Sequence, residues 1–346
     1  MSRYFRYVYV LPVVVVLSIA ILIFVFLFMR EEYPYVQNGL VDFQKARVYF
    51  FDRIETAGAQ AASADYITSG KRLTSPEAHR MAHAFGEALY VTEGVDGVRY
   101  CTDQFMYGCY HQLIGQAILE HGIAVTDSLL RICEESDTAA EGCEHGLGHG
   151  IMSYFGYTVD SLKKSVDLCL FIDRVSIDSA CVNGVFMEYN LRNMVSSETA
   201  LGVTPRPLAD DTRYAPCKEL DGLYGQECII QLPLWWLYAL PASMGTTERF
   251  TVAGSYCKSL PLALERQRCF VGIGRASSFA ATLDASTMRR HCEAASSDDE
   301  DRLMCFVGIG KRFQFIQGSG RQTCNAFGLD VSGVRRCMDL VDKSLL

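Results

Sequence analysis

Fourteen cysteines, all between Cys101 and Cys337, fall into seven consecutive pairs: Cys101/Cys109, Cys133/Cys143, Cys169/Cys181, Cys217/Cys228, Cys257/Cys269, Cys292/Cys305 and Cys324/Cys337. Each pair encloses 7 to 12 residues, and successive pairs begin 32 to 48 residues apart. An even, regularly spaced set of this kind suits a chain that folds in an oxidising compartment. No C-x-x-C pair is present, so the cysteines do not read as a zinc ribbon or finger. After the second cysteine of several pairs comes an apolar stretch with glycine three or five positions on, as in Cys143-EHGLGHGIM, Cys181-VNGVFMEY, Cys269-FVGIGRAS and Cys305-FVGIGKRF. Self-similarity at this period is the mark of stacked supersecondary units.

Within a unit, the residues before the first cysteine read as a short helix with a polar start, with Thr126 and Asp284 as N-caps in Thr126-DSLLRIC and Asp284-ASTMRRHC. The stretch after the second cysteine reads as a partner helix. The polar segment between them, such as Glu134-ESDTAAEG or Ser296-SDDED, is then the hairpin loop. A bond inside each pair would staple two adjacent helices near their connection, stabilising by about 3 kcal/mol in the chain-entropy account. Bonds between neighbouring units, such as Cys109 to Cys133, are the alternative. The glycines fit close helix approach beside each bond, at about 1 kcal/mol of helix propensity apiece. Gly272-I-Gly274 and Gly308-I-Gly310 lack the G-K-[ST] ending of a phosphate loop.

The run Cys133-EESDTAAEG-Cys143-EHGLGHGIMSYFGY, followed by DSLKKSVDLC, resembles the disulfide-bridged α/α-hairpin repeats of the Sel1-like kind. In those, a cysteine closing one helix pairs with one opening the next. The glycines stand three and five residues past the second cysteine here, where that family places glycine after a leucine four residues beyond it. The resemblance covers Cys101 to Cys337 and implies a binding scaffold more readily than an enzyme.

Residues 7–29 form a run of 23 uncharged residues, long enough as a helix to span a roughly 30 Å hydrocarbon core. It is too long for a signal-peptide core and runs straight into Arg30-Glu31-Glu32, so it reads as an uncleaved signal-anchor in the lipid bilayer. Arg3 and Arg6 lead it, which puts the N-terminus in the cytoplasm and the rest outside. The expected fold class is therefore mainly α: residues 1–30 a cytoplasmic tip and transmembrane helix, 31–75 a linker with a stalk helix, and 76–346 a solenoid-like repeat domain with one disulfide per repeat. The alanine-rich run Ala59–Ala64 reads as part of the linker. Residues 192–216, with Pro205, Pro207 and Pro216, read as an inserted loop or a boundary. The following IIQLPLWWLYALP offers Trp235, Trp236 and Tyr238 either as a bulky buried helix or as a docking or membrane-interface surface.

Six of the seven histidines lie between His79 and His149. His79-RMA-His83 and His145-GLG-His149 each set two imidazoles one helical turn apart, the spacing that lets both reach one metal ion, and Glu87 continues the first line. Aligning the units puts His79, His111, His145 and Asn183 in one column, and His83, Gly115, His149 and Met187 in the next. The candidate metal ligands are His79, His83, His111, His145, His149 and Glu87, with Glu144 or Glu188 as the alternative carboxylate and Zn, Cu or Fe as the cofactor. Surface or packing roles for the same histidines are the plainer alternative. Neither motif has the second-position glutamate of H-E-x-x-H, G-x-S-x-G is absent, and the cysteines are committed to disulfides, so no hydrolase can be named and enzymatic activity stays open. Residues 31–247 carry 15 Lys/Arg against 29 Asp/Glu, whereas 248–346 carry 14 against 11. An acidic histidine half attracts cations and repels nucleic acid. Two functions follow from these readings: a membrane-tethered extracytoplasmic scaffold for a protein, peptide or glycan, or a metal-binding protein or metal-dependent enzyme built on the histidines.

Overall fold

The computed structural model describes residues 33–342 apart from 136–139, 174–179, 195–204, 221, 281–283 and 318. The apolar run 7–29 lies outside these. Among the described residues no helix is long and apolar enough to cross a membrane.

The chain is mainly α-helical, and its helices form two rows. One row consists of α1 (Phe43–Ala57), α3 (Ser75–Glu93), α4 (Gly108–His121), α6 (Ala140–Phe155), α8 (Ala180–Leu191), α9 (Gly222–Ala239), α11 (Ala263–Ala280), α13 (Asp299–Gln317) and α14 (Val331–Asp342), each packed on the next. Beside it lie α2 (Ala59–Gly70), α5 (Thr126–Glu135), α7 (Val159–Asp173), α10 (Thr246–Lys258) and α12 (Ala285–Ala295). Asp284 caps α12, accepting from the Thr287 amide at 2.8 Å. Thr126 instead opens α5 with its hydroxyl donating to the Ile123 carbonyl at 2.7 Å.

Glycine sets how closely the first row packs. A Cβ on Gly148 of α6 would stand 2.0 Å from the Cys181 carbonyl oxygen of α8, and one on Gly184 would stand 2.1 Å from the His145 carbonyl oxygen. The same reciprocity joins α11 and α13, where Gly274 meets the Cys305 carbonyl at 1.9 Å and Gly308 meets that of Val271 at 2.0 Å. No residue but glycine fits such an approach.

All seven disulfides form within the pairs defined above, with Cα–Cα distances of 5.3 to 6.0 Å and no cysteine left free. Four of them, Cys133–Cys143, Cys169–Cys181, Cys257–Cys269 and Cys292–Cys305, join a helix of the second row to one of the first, as the hairpin reading expects. The other three correct that reading, because their first cysteine is not on an α-helix. Cys228 is buried in α9 and bonded to Cys217, at a Cα–Cα distance of 5.3 Å, but Cys217 opens the short 3-10 turn Cys217–Glu219. Pro205, Pro207 and Pro216 stand where the expected first helix would run, and proline neither donates the backbone hydrogen bond nor leaves room for the preceding turn. Cys228 is therefore tied to the end of a loop and not to a second helix. In the same way Cys109 is bonded to Cys101, just past the 3-10 helix Gly94–Tyr100, and Cys337 to Cys324, which opens the 3-10 turn Cys324–Phe327. Replacing both Cys169 and Cys181 with serine is expected to lower unfolding free energy by about 3 kcal/mol, read from denaturant midpoints. An unchanged midpoint would show that packing alone holds that hairpin.

Residues 33–75 hold the expected helix, but they pack into the core and do not run as a linker. Asn38-Gly39, both at positive φ, turns a two-stranded hairpin of Val36–Gln37 and Leu40–Val41, and Asp42 then caps α1 through the Lys45 amide. Tyr35, Phe50 and Tyr66 are fully buried in the same core as Phe85 of α3, with Tyr66 stacked on Phe85 at 4.5 Å between ring centroids. The alanine run belongs to α2, where Ala59 and Ala62 are buried, because small side chains let α2 lie close to its neighbours. Trp235 and Trp236 are likewise fully buried and form no docking surface or interfacial belt, and only Tyr238 of the three aromatics is exposed, at 47%. Their indole N–H groups donate to the Arg206 and Arg213 carbonyls at 2.6 and 3.0 Å, and the Arg206 guanidinium stacks 3.6 Å over the Trp235 ring. The described part of the 192–216 segment is thus a strap over α9, and helices on both sides of it share one core.

Candidate metal centre

Helices α3, α4 and α6 stand side by side, and on each a histidine faces the interior. A four-residue step is a little over one turn, so His79 and His83 of α3 stack along one face, as do His145 and His149 of α6. Helix α4, between them, contributes His111. His83, His111, His145 and His149 are buried and His79 is half-buried.

The start of α4 is held in an unusual way. Phe105, Met106 and Tyr107 all have φ near +57° (57°, 54° and 59°), a left-handed run that costs each non-glycine residue about 1–2 kcal/mol. The Cys101–Cys109 bond closes around it. This turn aims the Phe105 carbonyl at His79 Nδ1, 2.8 Å away. A carbonyl only accepts, so His79 carries its proton on Nδ1 and presents a bare Nε2 inward. His83 Nδ1 meets Gln112 Oε1 at 3.2 Å, and its Nε2 faces that of His79 at 3.1 Å.

The α6 pair repeats the arrangement. His149 Nδ1 lies 2.8 Å from Glu188 Oε2 on α8, and its Nε2 faces His145 Nε2 at 3.2 Å. Glu188 also accepts from the Tyr157 hydroxyl at 2.6 Å and from the Met194 amide. The close contact through Gly148 and Gly184 is what carries Glu188 to His149. Burial pushes the Glu188 carboxyl up to about 7, held back by the Tyr157 and backbone hydrogen bonds. Fixing the proton of His149 on Nδ1 is the usual part played by a carboxylate behind a metal-ligating imidazole.

All five imidazoles are pushed towards the neutral form. Burial is the main cause in each, taking His83 and His149 down to about 3 and His111 and His145 well below the usual value, with neighbouring imidazoles adding to the effect at His111. Neutral imidazoles are the form that binds metal. Both nitrogens of His111 are buried with no hydrogen-bond partner in the protein. The two Nε2–Nε2 distances, 3.1 and 3.2 Å, are close to the roughly 3.3 Å edge of a tetrahedron with metal–nitrogen bonds of about 2.0–2.1 Å. The residues therefore fit a transition-metal ion with nitrogen ligands. A set without carboxylates does not fit magnesium or calcium.

Of the six candidate ligands, the structure brings together the five histidines and not Glu87. One further turn along α3 carries Glu87 towards α1, where it accepts from Arg47 at 2.7 Å. Glu87 lines, with Gln112, Gln116, Ser153 and Met194, a cavity of about 300 Å³ one turn from the histidines. The Met194 methyl fills the space left by Gly115, which a Cβ would reach at 1.9 Å. Asn183 and Met187, the next members of the aligned columns, line a separate groove with Arg275, Lys311 and Arg312. His121 pairs with Tyr90, and His291 stacks on Phe250 in the core at 4.0 Å. The supports missed by sequence reasoning are Gln112, Tyr157 and the Phe105 carbonyl. The chain matches no protein family, no curated protein and no solved structure with which it was compared.

Proposed function

We propose that this is a transition-metal-binding protein, a membrane-anchored, extracytoplasmic, solenoid-like stack of disulfide-stapled helical units whose first units hold metal through His79, His83, His111, His145 and His149. The observation that carries this reading is His111: a neutral imidazole with both nitrogens buried and unpartnered, between two pairs of inward-facing Nε2 atoms. Burying such groups costs about 1–3 kcal/mol each unless something binds them. Histidine-only ligation suits zinc or copper, and iron less well. Seven disulfides and the Arg3/Arg6 flank of residues 7–29 support the extracytoplasmic placement.

Full-length protein in detergent, loaded with Zn(II) or Cu(II) and then dialysed, is expected to retain metal stoichiometrically. The double variant His145→Ala/His149→Ala should lose it while keeping its helical circular dichroism. Wild-type protein that stays metal-free with an unshifted thermal midpoint would sink the reading.

A second reading is supported by a different feature. A smaller groove of about 70 Å³, formed by α8, α9, α11 and α13, carries Lys311 and Arg312 with Arg275, which is paired with the buried Glu227. This chemistry favours capture of an acidic peptide or glycan, which would make the array a scaffold as well as a metal site.

A further inference from the structure

Resting on the metal reading above, we infer that the centre holds two ions and that His111 bridges them, one ring nitrogen to each. The five histidines do not form one ligand set. They form two triads, His79/His83/His111 and His111/His145/His149, each with ligand atoms within 4.8 Å of one another, and His111 alone belongs to both. Ring contacts tell the same story among the described residues. His111 lies 5.6 and 5.7 Å from His79 and His83 and 5.3 and 4.2 Å from His145 and His149, centroid to centroid, and no ring contact joins one outer pair to the other.

One ion must be reached by every ligand atom at about 2.0–2.1 Å, and the five imidazoles do not gather into one set: their ligand atoms group three and three. The arrangement is nearly symmetric about α4. Each flanking helix supplies one H-x-x-x-H pair with its Nε2 atoms 3.1 or 3.2 Å apart, and each pair has an outward Nδ1 tied to a carbonyl, amide or carboxylate oxygen. Neither nitrogen of His111 is engaged elsewhere, and although His145 Nδ1 also lacks a hydrogen-bond partner, His145 belongs to one triad only. Nδ1 and Nε2 point from opposite sides of the ring, so a bond from each places the ions roughly 6 Å apart.

Binding of the second ion displaces the one N–H proton of His111 to solvent. The ring then gives a lone pair to each metal as an imidazolate, and its negative charge, with the Glu188 carboxylate behind His149, offsets part of the charge of two buried cations. The ligands of this class of site are divalent ions that accept four or fewer nitrogen donors, copper and zinc foremost.

The test uses full-length protein in detergent titrated with Cu(II). Two ions per chain are expected, with an electron paramagnetic resonance signal whose integrated intensity falls on cooling as the two spins couple through the bridge. His111→Gln should abolish that coupling and weaken binding at both sites by at least tenfold. The double variant His79→Gln/His83→Gln should retain one ion with a full, uncoupled signal, and it decides the matter if His111→Gln fails to fold. One ion per wild-type chain would overturn the inference and leave the metal reading standing. Two ions with uncoupled spins would overturn the bridge. No bound ion at all would sink the metal reading itself.

Discussion

Taking the metal-free protein from pH 7.5 to 5.5 is expected to destabilise it by more than about 1 kcal/mol and to lower its thermal midpoint by several degrees. His83 and His149 have folded values near 3, set mainly by burial, against an ordinary 6.5. Their neutral forms are favoured in the fold, so the associated stability is fully present above about 6.5. It is lost as the pH falls below that value, because the unfolded chain takes up protons that the folded one refuses. At pH 5.5 the two together cost about 3 kcal/mol. Glu188 acts in the opposite sense. Its folded value near 7 lies above the ordinary 4.5, so between those two values the folded chain binds a proton that the unfolded one does not, returning about 2 kcal/mol. His79, His111 and His145 are all shifted in the same direction as His83 and add to the net loss of about 1 kcal/mol. Denaturant curves of metal-free protein across this range measure the effect. Glu188→Gln, which removes the opposing group, should steepen the fall. Stability that is flat or rising towards pH 5.5 would contradict a buried neutral cluster.

The parts of this architecture that could be read from the sequence are those written in local spacing. Short cysteine intervals specify which thiols can meet, since only near neighbours along the chain come within reach, and all seven bonds follow that rule. The spacing does not say what carries each thiol, which is why Cys228 finds a cysteine on a 3-10 turn where a helix was expected. A four-residue histidine step places both rings on one face wherever the helix ends up. What the spacing could not supply was which second carboxylate would arrive. Glu87 continues the α3 line in sequence, yet a further turn of helix takes it to Arg47, whereas Glu188 comes from α8, 39 residues past His149. The left-handed turn at Phe105–Tyr107 leaves no glycine or asparagine signal because the surrounding fold, with the Cys101–Cys109 bond, imposes it. Residues 33–70 were legible and misread. Asn38-Gly39 is a standard hairpin turn, and Phe43, Phe50 and Ile54 fall at helical spacing, but the alanine run that follows suggested a linker where it marks a close helix contact.

Gly184→Ala should be among the most damaging single substitutions in the protein, although alanine is the better helix former. The gain in propensity is about 1 kcal/mol. Against it stands a Cβ placed 2.1 Å from the His145 carbonyl oxygen and 3.2 Å from the Cα of Gly148. Both are backbone atoms that no side-chain rotation can clear. Helices α6 and α8 would have to move apart by about 1 Å, against two disulfides, Cys133–Cys143 and Cys169–Cys181, that fix each to its outer partner. Overpacking of this kind costs about 1–3 kcal/mol and more where the backbone cannot yield, so a net loss of about 2 kcal/mol or more is expected in denaturant unfolding. The same displacement draws Glu188 away from His149 Nδ1, from 2.8 Å to beyond hydrogen-bond reach, and loss of such a support typically weakens metal affinity by about 10- to 100-fold. Gly245→Ala is the control. Its φ is −62° with nothing within 4 Å of the added carbon, so only the weaker N-cap preference of alanine counts against it, a loss of less than about 1 kcal/mol, and metal binding should not change. If Gly184→Ala were neutral or stabilising, the two helices would not touch backbone to backbone, and the placement of Glu188 behind the histidines would lose its structural basis.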